Sequence, residues 1–197
     1  MTAPPPATLV QRLARSCLRL MGWRVICPAA LPARAVLIAY PHTSNWDFVH
    51  TMLGKAALGL DAHWVGKDTL FRWPFGGLMR ALGGIPVNRR ERTGFVDAMA
   101  ARYASTDHLI VAIAPEGTRG WTPGWKTGFY RIARAARVPV LLACVDYRRR
   151  EVGVIGSLLP TDDAEADMAA IAAVYAGRRG RYPDQAAPIV LIGSDRP

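Results

Sequence analysis

The 197-residue chain is poor in cysteine, in acidic residues and in long apolar runs, and each shortage excludes something. Cys17, Cys27 and Cys144 are odd in number, far apart and in no ligand spacing, so no disulfide framework or metal site is expected. A reduced, cytosol-facing protein follows. No run approaches the roughly 20 apolar residues needed to span a bilayer. The N-terminus, with Pro4, Pro5 and Pro6 ahead of an arginine-punctuated stretch, lacks the charged start and unbroken apolar core of a signal peptide. Internal repeats, low-complexity tracts and linkers are missing too. What remains is one domain, long enough to bury about 70% of its unfolded surface.

Against 15 acidic residues stand 25 lysines and arginines, giving a formal charge of +10, while 51% of the residues are hydrophobic. That pairing suits anionic substrates or an anionic surface. Nucleic acid is disfavoured as a partner because no recognition motif accompanies the charge. A phospholipid surface fits residues 8–24, where Leu9, Val10, Leu13, Ala14, Cys17, Leu18 and Met21 repeat at helical spacing. Arg12, Arg15 and Arg19 fall on another side, and Trp23 and Arg24 close the segment. Two readings stand: an amphipathic helix lying in a membrane interface, or a surface helix packed on the domain.

Further on, strand-like runs near 35–40, 62–66, 84–88, 108–114, 140–147 and 151–155 alternate with helical patterns over 44–59, 74–82, 93–104, 126–136 and 164–176. This βα alternation predicts an α/β domain with a mixed, largely parallel sheet flanked by helices, preceded by the N-terminal amphipathic helix. The expected divisions are a flexible N-terminus at 1–7, the helix at 8–24, the domain at 25–185 and a tail at 186–197. Tyr147-Arg148-Arg149-Arg150-Glu151 reads as a solvated hairpin turn without function. Asp162, Asp163, Glu165 and Asp167 open the last helix and Arg178, Arg179 and Arg181 follow it, a charge placement that complements the helix dipole.

His42-Thr43-Ser44-Asn45-Trp46-Asp47 follows the apolar run Ala35–Tyr40 directly, which sets a possible base and a possible orienting carboxylate just past a strand end. Five positions on a regular helix would part them, so the pair works only if His42 precedes the helix that Thr43 or Ser44 caps. Asp47 has a second reading, since Ser44 to Asp47 also forms a capping box. Trp46 and Phe48 read as packing residues, and His50 and His63 as helix or strand surface. Two further polar clusters stand at strand ends. Pro115-Glu116-Gly117-Thr118-Arg119 follows Leu109–Ala114, and Gly83-Gly84-Ile85-Pro86-Val87-Asn88-Arg89 delivers an arginine to the end of a short strand. Glycine permits close backbone approach, and arginine grips phosphate through paired hydrogen bonds.

Together these blocks resemble the glycerolipid acyltransferase family, the 1-acylglycerol-3-phosphate acyltransferases and their relatives. The family's H-x-x-x-x-D block matches His42 to Asp47, its G-x-I-x-x-x-R block Gly83 to Arg89, and its E-G-T-R block Glu116 to Arg119. Its fourth, apolar block resembles Val138-Pro139-Val140-Leu141-Leu142. Lys67 falls where relatives commonly carry a lysine, and Lys126-Thr127-Gly128 resembles the stretch after E-G-T-R. The chain departs in having Asn88 where several relatives carry aspartate, and Trp121 and Trp125 after E-G-T-R, rings that touch lipid or cover the core.

The resemblance implies transfer of an acyl group from acyl-CoA or acyl carrier protein to a lysophospholipid acceptor, with no cofactor or metal. His42 would be the base and Asp47 its partner; Lys67, Arg89, Glu116, Gly117, Thr118 and Arg119 would bind substrate, with backbone N–H groups near Gly117 as oxyanion donors. It further implies a peripheral position on the cytoplasmic face of a membrane. A thioester or ester hydrolase using the same histidine, and a basic membrane-binding protein without catalysis, are the competing classes.

Overall fold

The continuous apolar runs of the sequence become the central strands, buried on both faces as a parallel sheet between helices requires. The computed structural model describes residues 6–28, 30–87 and 94–193. Helix α1 (Leu9–Leu20) and strand β1 (Arg24–Ile26) lead into β2 (Arg34–Ala39), α2 (Trp46–Leu58) and β3 (Ala62–Lys67). A 3-10 turn at Asp68–Phe71 precedes α3 (Gly76–Ala81) and β4 (Gly84–Val87), and α4 (Phe95–Ala104), β5 (Leu109–Ile113) and the two-residue β6 (Trp125–Lys126) follow. Then come α5 (Gly128–Ala136), the hairpin strands β7 (Val140–Asp146) and β8 (Glu151–Leu158), α6 (Ala164–Tyr175), a 3-10 turn at Pro183–Gln185 and β9 (Leu191–Ile192).

Among the described residues, seven strands form one sheet in the order β1-β8-β7-β2-β5-β3-β4, while β6 pairs with β9 apart from it. Every neighbouring pair in the large sheet is parallel except β7 and β8. The expected mixed, largely parallel α/β architecture is what forms. On one face Val36, Ile38, Val111, Val140 and Leu142 meet side chains of α4, α5 and α6, among them Tyr103, Phe129, Ile132 and Ile171. Burying aliphatic side chains of this size contributes about 1.5–3 kcal/mol each. On the other face α1 and α2 cover the sheet through Ala14, Leu18, Trp23, Ala57, Val145 and Val152.

Each expected strand and helix lies within a few residues of its expected span, with three corrections. The N-terminal helix stops at Leu20, because Gly22 at φ 78° turns the chain and frees Arg24 to open β1. It also packs through a narrower stripe than its periodicity suggests: Ala14 and Leu18 are buried, whereas Leu9, Val10 and Leu13 are more than 60% exposed. Residues 186–193 are not a tail. Ala187 is buried, Ile189 and Leu191 pack on the main core, and β9 pairs in parallel with β6. The apolar run Ile189-Val190-Leu191-Ile192 drives that docking.

Because β2, β3, β4, β5 and β7 are mutually parallel, their C-terminal ends share one edge of the sheet. Ligands bind at such an edge in open α/β sheets.

Candidate active site

β2 ends at Ala39, its direction held one residue further by the Tyr40 N–H bond to Ala143 O at 3.1 Å. His42 follows in the turn, ahead of α2 and not on it. Its Nδ1 lies 3.3 Å from Asp47 Oδ2, with the imidazole about one quarter exposed and the carboxylate buried. Asp47 Oδ2 also accepts the N–H groups of Thr43 and Ser44, both at 2.8 Å, while Ser44 Oγ accepts the Trp46 N–H. The capping arrangement and the His–Asp pair therefore coexist in one carboxylate. The other oxygen, Oδ1, accepts the Tyr147 hydroxyl at 2.8 Å. Burial pushes this carboxyl up, but the hydrogen bonds from His42, Tyr147 and Ser44 outweigh it and hold Asp47 below its ordinary range.

Glu116 reaches the same turn from the end of β5. Almost fully buried, it accepts the His42 N–H through Oε2 at 2.7 Å and the Ala187 N–H through Oε1 at 2.9 Å. Burial pushes its carboxyl above the ordinary value, in part offset by those two N–H groups and by the nearby imidazole. Tyr40 beside it is pushed up to about 12, by burial first and then by the Glu116 charge. Glu116 thus fixes the backbone at His42 and is almost fully buried.

Arg119 is exposed and its Nη1 donates to Asn45 Oδ1, so the E-G-T-R loop is tied to the H-x-x-x-x-D loop. Thr118 is exposed and its hydroxyl accepts the Gly120 N–H. Gly117 sits at φ 70°, and a side chain there would meet Lys126 Nζ at 2.7 Å, which puts that ammonium over the loop. The Gly117 N–H donates to Ala114 O within the turn. Gly117 itself is therefore committed and is not an oxyanion donor in this conformation.

The remaining expected residues are less closely joined. Lys67 ends β3 on the same edge, two strands from β2, exposed, with no hydrogen bond or ion pair to His42, Asp47, Glu116 or Arg119. Arg89, two positions beyond the end of β4, lies outside the described residues, as does Asn88.

Several participants escaped the sequence reading. The sequence puts Tyr147 in a solvated turn; the arginines after it are exposed, but its own ring turns inward against Trp23 and His50. His50 is buried, not surface: its Nδ1 lies 2.8 Å from Trp46 O and its ring 4.0 Å from that of Trp23. Trp46 is half exposed instead of packed, whereas Phe48 does pack, edge-on to Trp64. The two tryptophans after E-G-T-R part company, Trp125 in the core and Trp121 exposed.

A segment after α6 closes the back of the site. The Tyr182 N–H donates to Thr43 Oγ1 at 3.2 Å, and Gly180 approaches the same hydroxyl so closely that a Cβ would lie 2.6 Å from it. The Gln185 amide nitrogen, turned toward them, donates to Arg119 O at 2.8 Å and Thr43 O at 3.2 Å. No motif marks these residues in the sequence, since they act mainly through backbone groups. Behind the base, an apolar cavity of about 60 Å³ lies between α2 and the sheet, lined in part by Leu37, Ala39, Met52, Leu58, Ala112 and Val154.

A histidine held by a buried carboxylate, in a turn that Asn45 ties to Arg119, is equipped to take a proton from a hydroxyl. Comparisons with known proteins identify the family and the fold. A model of the acyltransferase family matches residues 18–145. Among solved structures, the 1-acyl-sn-glycerophosphate acyltransferase PlsC from Thermotoga maritima is similar at 17% identity and a TM-score of 0.54, over 84% of this chain and 74% of that one. At that identity the likeness speaks to the fold. No curated protein matches.

Proposed function

The chain belongs to the acyltransferase family, and from that premise we propose that it moves a fatty acyl group from acyl-CoA or acyl carrier protein to a hydroxyl of a lysophospholipid-type acceptor. The favoured acceptor is 1-acylglycerol-3-phosphate, giving phosphatidic acid. The observation that carries this reading is the His42–Asp47 pair, 3.3 Å apart and set in a turn at the sheet edge. With Nδ1 turned to Asp47, Nε2 is the ring nitrogen left for an acceptor. It takes the hydroxyl proton as that oxygen attacks the thioester carbonyl; the carbon–sulfur bond then breaks, and the thiolate leaves and takes up a proton. Asp47 stabilises the imidazolium in between. Proton transfer of this kind supplies about 10² to 10⁴-fold in rate.

No serine or cysteine nucleophile is required, so no acyl-enzyme forms. Arg119, Arg89 and Lys67 hold the acceptor phosphate, Arg119 in an orientation set by Asn45. Thr118 adds a hydroxyl beside it. Glu116 supports the base through its backbone and does not bind the acceptor directly. The enzyme works at the cytoplasmic face of a membrane as a peripheral protein; among the described residues no helix is long and apolar enough to cross one.

The decisive experiment crosses labelled acyl thioesters with a small panel of lysolipids. Acceptor-dependent loss of thioester, abolished in His42→Ala with the fold intact, supports transfer by this base. Thioester loss without an acceptor identifies a hydrolase, and activity retained in His42→Ala sinks the base assignment. Covalent acyl-protein formed from donor alone argues against direct attack.

A further inference from the structure

Between β3 and β4 the chain exposes four large apolar side chains within nine residues: Leu70 by 46%, Trp73 by 93%, Phe75 by 65% and Leu78 by 55%. Exposed apolar surface of this density marks an interaction site. The segment is also firmly built. Phe71 within it is buried; its ring stacks on Trp64 at 5.6 Å, and Trp64 meets Phe48 of α2 at 5.0 Å. Arg80 Nη1 donates to Phe71 O at 3.2 Å and Gly76 O at 3.4 Å, with its guanidinium over the Phe71 ring. Gly76 admits no side chain, because a Cβ would fall 2.1 Å from Phe71 O. The fold plugs Phe71 inward and holds its neighbours outward.

The location gives this surface its meaning. The segment leaves the C-terminal end of β3, so it stands on the sheet edge that carries His42. Trp46 and Val49, half-exposed on the first turn of α2, extend the apolar surface along that edge, and Phe48 between them joins the buried ring stack. Lys67 and Arg72 are exposed beside it, Arg72 within 3.6 Å of Asp68.

We propose that this edge is the membrane-docking face, with Leu70, Trp73, Phe75 and Leu78 seated in the interface of an anionic bilayer and Arg72 against lipid phosphates. Tryptophan with flanking cations is the composition that suits the headgroup layer. The excess of ten positive charges over the whole chain favours the same occupant. Helix α1 offers a rival apolar stripe, but it lies alongside α2 in the opposite direction. Its Arg15 reaches Ala57 O at one end of α2, while Trp23, just past its own end, meets His50 near the other. A bilayer on α1 meets the domain from its flank; one on the 70–78 segment meets the mouth of the site. The value of this face to the enzyme rests on the lipid acceptor proposed above, but docking itself does not require turnover.

The test is cosedimentation of the full chain with phosphatidylcholine vesicles and with mixed phosphatidylcholine–phosphatidylglycerol vesicles, in the absence of acyl donor. The wild type is expected to bind the mixed vesicles. Trp73→Ser with Phe75→Ser should weaken that binding by at least about tenfold, while the thermal midpoint is kept, since both side chains are exposed. Transfer to an acceptor embedded in vesicles should fall, and transfer to a dispersed short-chain acceptor should persist. Leu9→Ser with Leu13→Ser should weaken binding less than the loop pair. The proposal is overturned if the wild type does not bind, if the loop pair binds as the wild type does, or if only the α1 pair releases the protein. Binding through the loop without any acyl transfer would instead sink the catalytic reading and leave the docking face standing.

Discussion

The hydroxyl of Tyr147 donates to Asp47 Oδ1 at 2.8 Å across 100 positions of sequence, which ties the last residues of the β7 end to the carboxylate that holds the base. Tyr147 therefore positions Asp47. Tyr147→Phe keeps the edge-on ring contacts with Trp23 and His50 but removes the donor from a buried carboxylate. A hydrogen bond to a charged group contributes about 1.5–3 kcal/mol. We expect kcat to fall roughly tenfold with KM unchanged, since the loss reaches the transition state through His42 and not through binding. A drop in thermal stability with unaltered kcat would assign Tyr147 a purely structural role.

Glu116→Gln tests whether the E-G-T-R acid acts through the backbone of the base. The carboxylate accepts from both His42 N–H and Ala187 N–H. A glutamine has one acceptor oxygen, and its NH2 must face one of those two donors. Leaving a buried donor unmet costs about 1–3 kcal/mol, and the His42 turn shifts with it. Thermal unfolding should register that loss and kcat should fall for every acceptor alike. A change confined to phosphate-bearing acceptors would show instead that Glu116 contacts substrate.

How much of this was legible beforehand follows from which chemical groups do the work. His42, Asp47 and Arg119 stand in short motifs beside long apolar strands; periodicity reveals the strands, and the resemblance of the ordered blocks to the acyltransferase family singles out the residues. The same reading placed β2, β5 and β7 and the largely parallel sheet. Tyr147 was hidden because three arginines follow it and the charge run obscured a single inward ring. Gly180, Tyr182 and Ala187 act through backbone atoms or through want of a side chain, and no residue type announces that. Strands β1, β6 and β9, of two or three residues, are too short for alternation to be seen. Helix α1 left two readings open, and the structure packs Ala14 and Leu18 on the domain while Leu9, Val10 and Leu13 stay exposed.

Asp47 and Glu116 pull stability in opposite directions as pH changes. The folded state holds Asp47 below its ordinary value of 3.8, so its contribution is complete above that pH and is lost on acidification through the lower folded value. Glu116 is raised above 4.5, so its contribution is complete below that pH and is lost as pH rises through the higher folded value. Denaturant unfolding across this range should give difference curves of opposite slope. Wild type minus Asp47→Asn should shrink below about pH 3.8, and wild type minus Glu116→Gln should shrink above about pH 4.5. Parallel curves would show that the two carboxyls do not titrate as their surroundings dictate.

Arg119 offers the sharpest test of the acceptor. Its guanidinium is exposed and donates to Asn45, in the turn that carries His42, so the phosphate grip and the base proposed above are tied to one another. A charge-assisted contact to phosphate is worth about 1.5–3 kcal/mol, or roughly tenfold to a hundredfold in binding. Arg119→Ala should raise KM for a phosphate-bearing lysolipid by about that factor and leave a neutral acceptor such as a monoacylglycerol nearly unaffected. Asn45→Ala should give a smaller shift of the same kind, since it loosens the guanidinium without removing it. Arg89→Ala should follow Arg119→Ala if both cations bind one phosphate. Equal losses with charged and neutral acceptors in all three variants would mean that these residues brace the loops, and the acceptor would then have to be sought among lysolipids without phosphate.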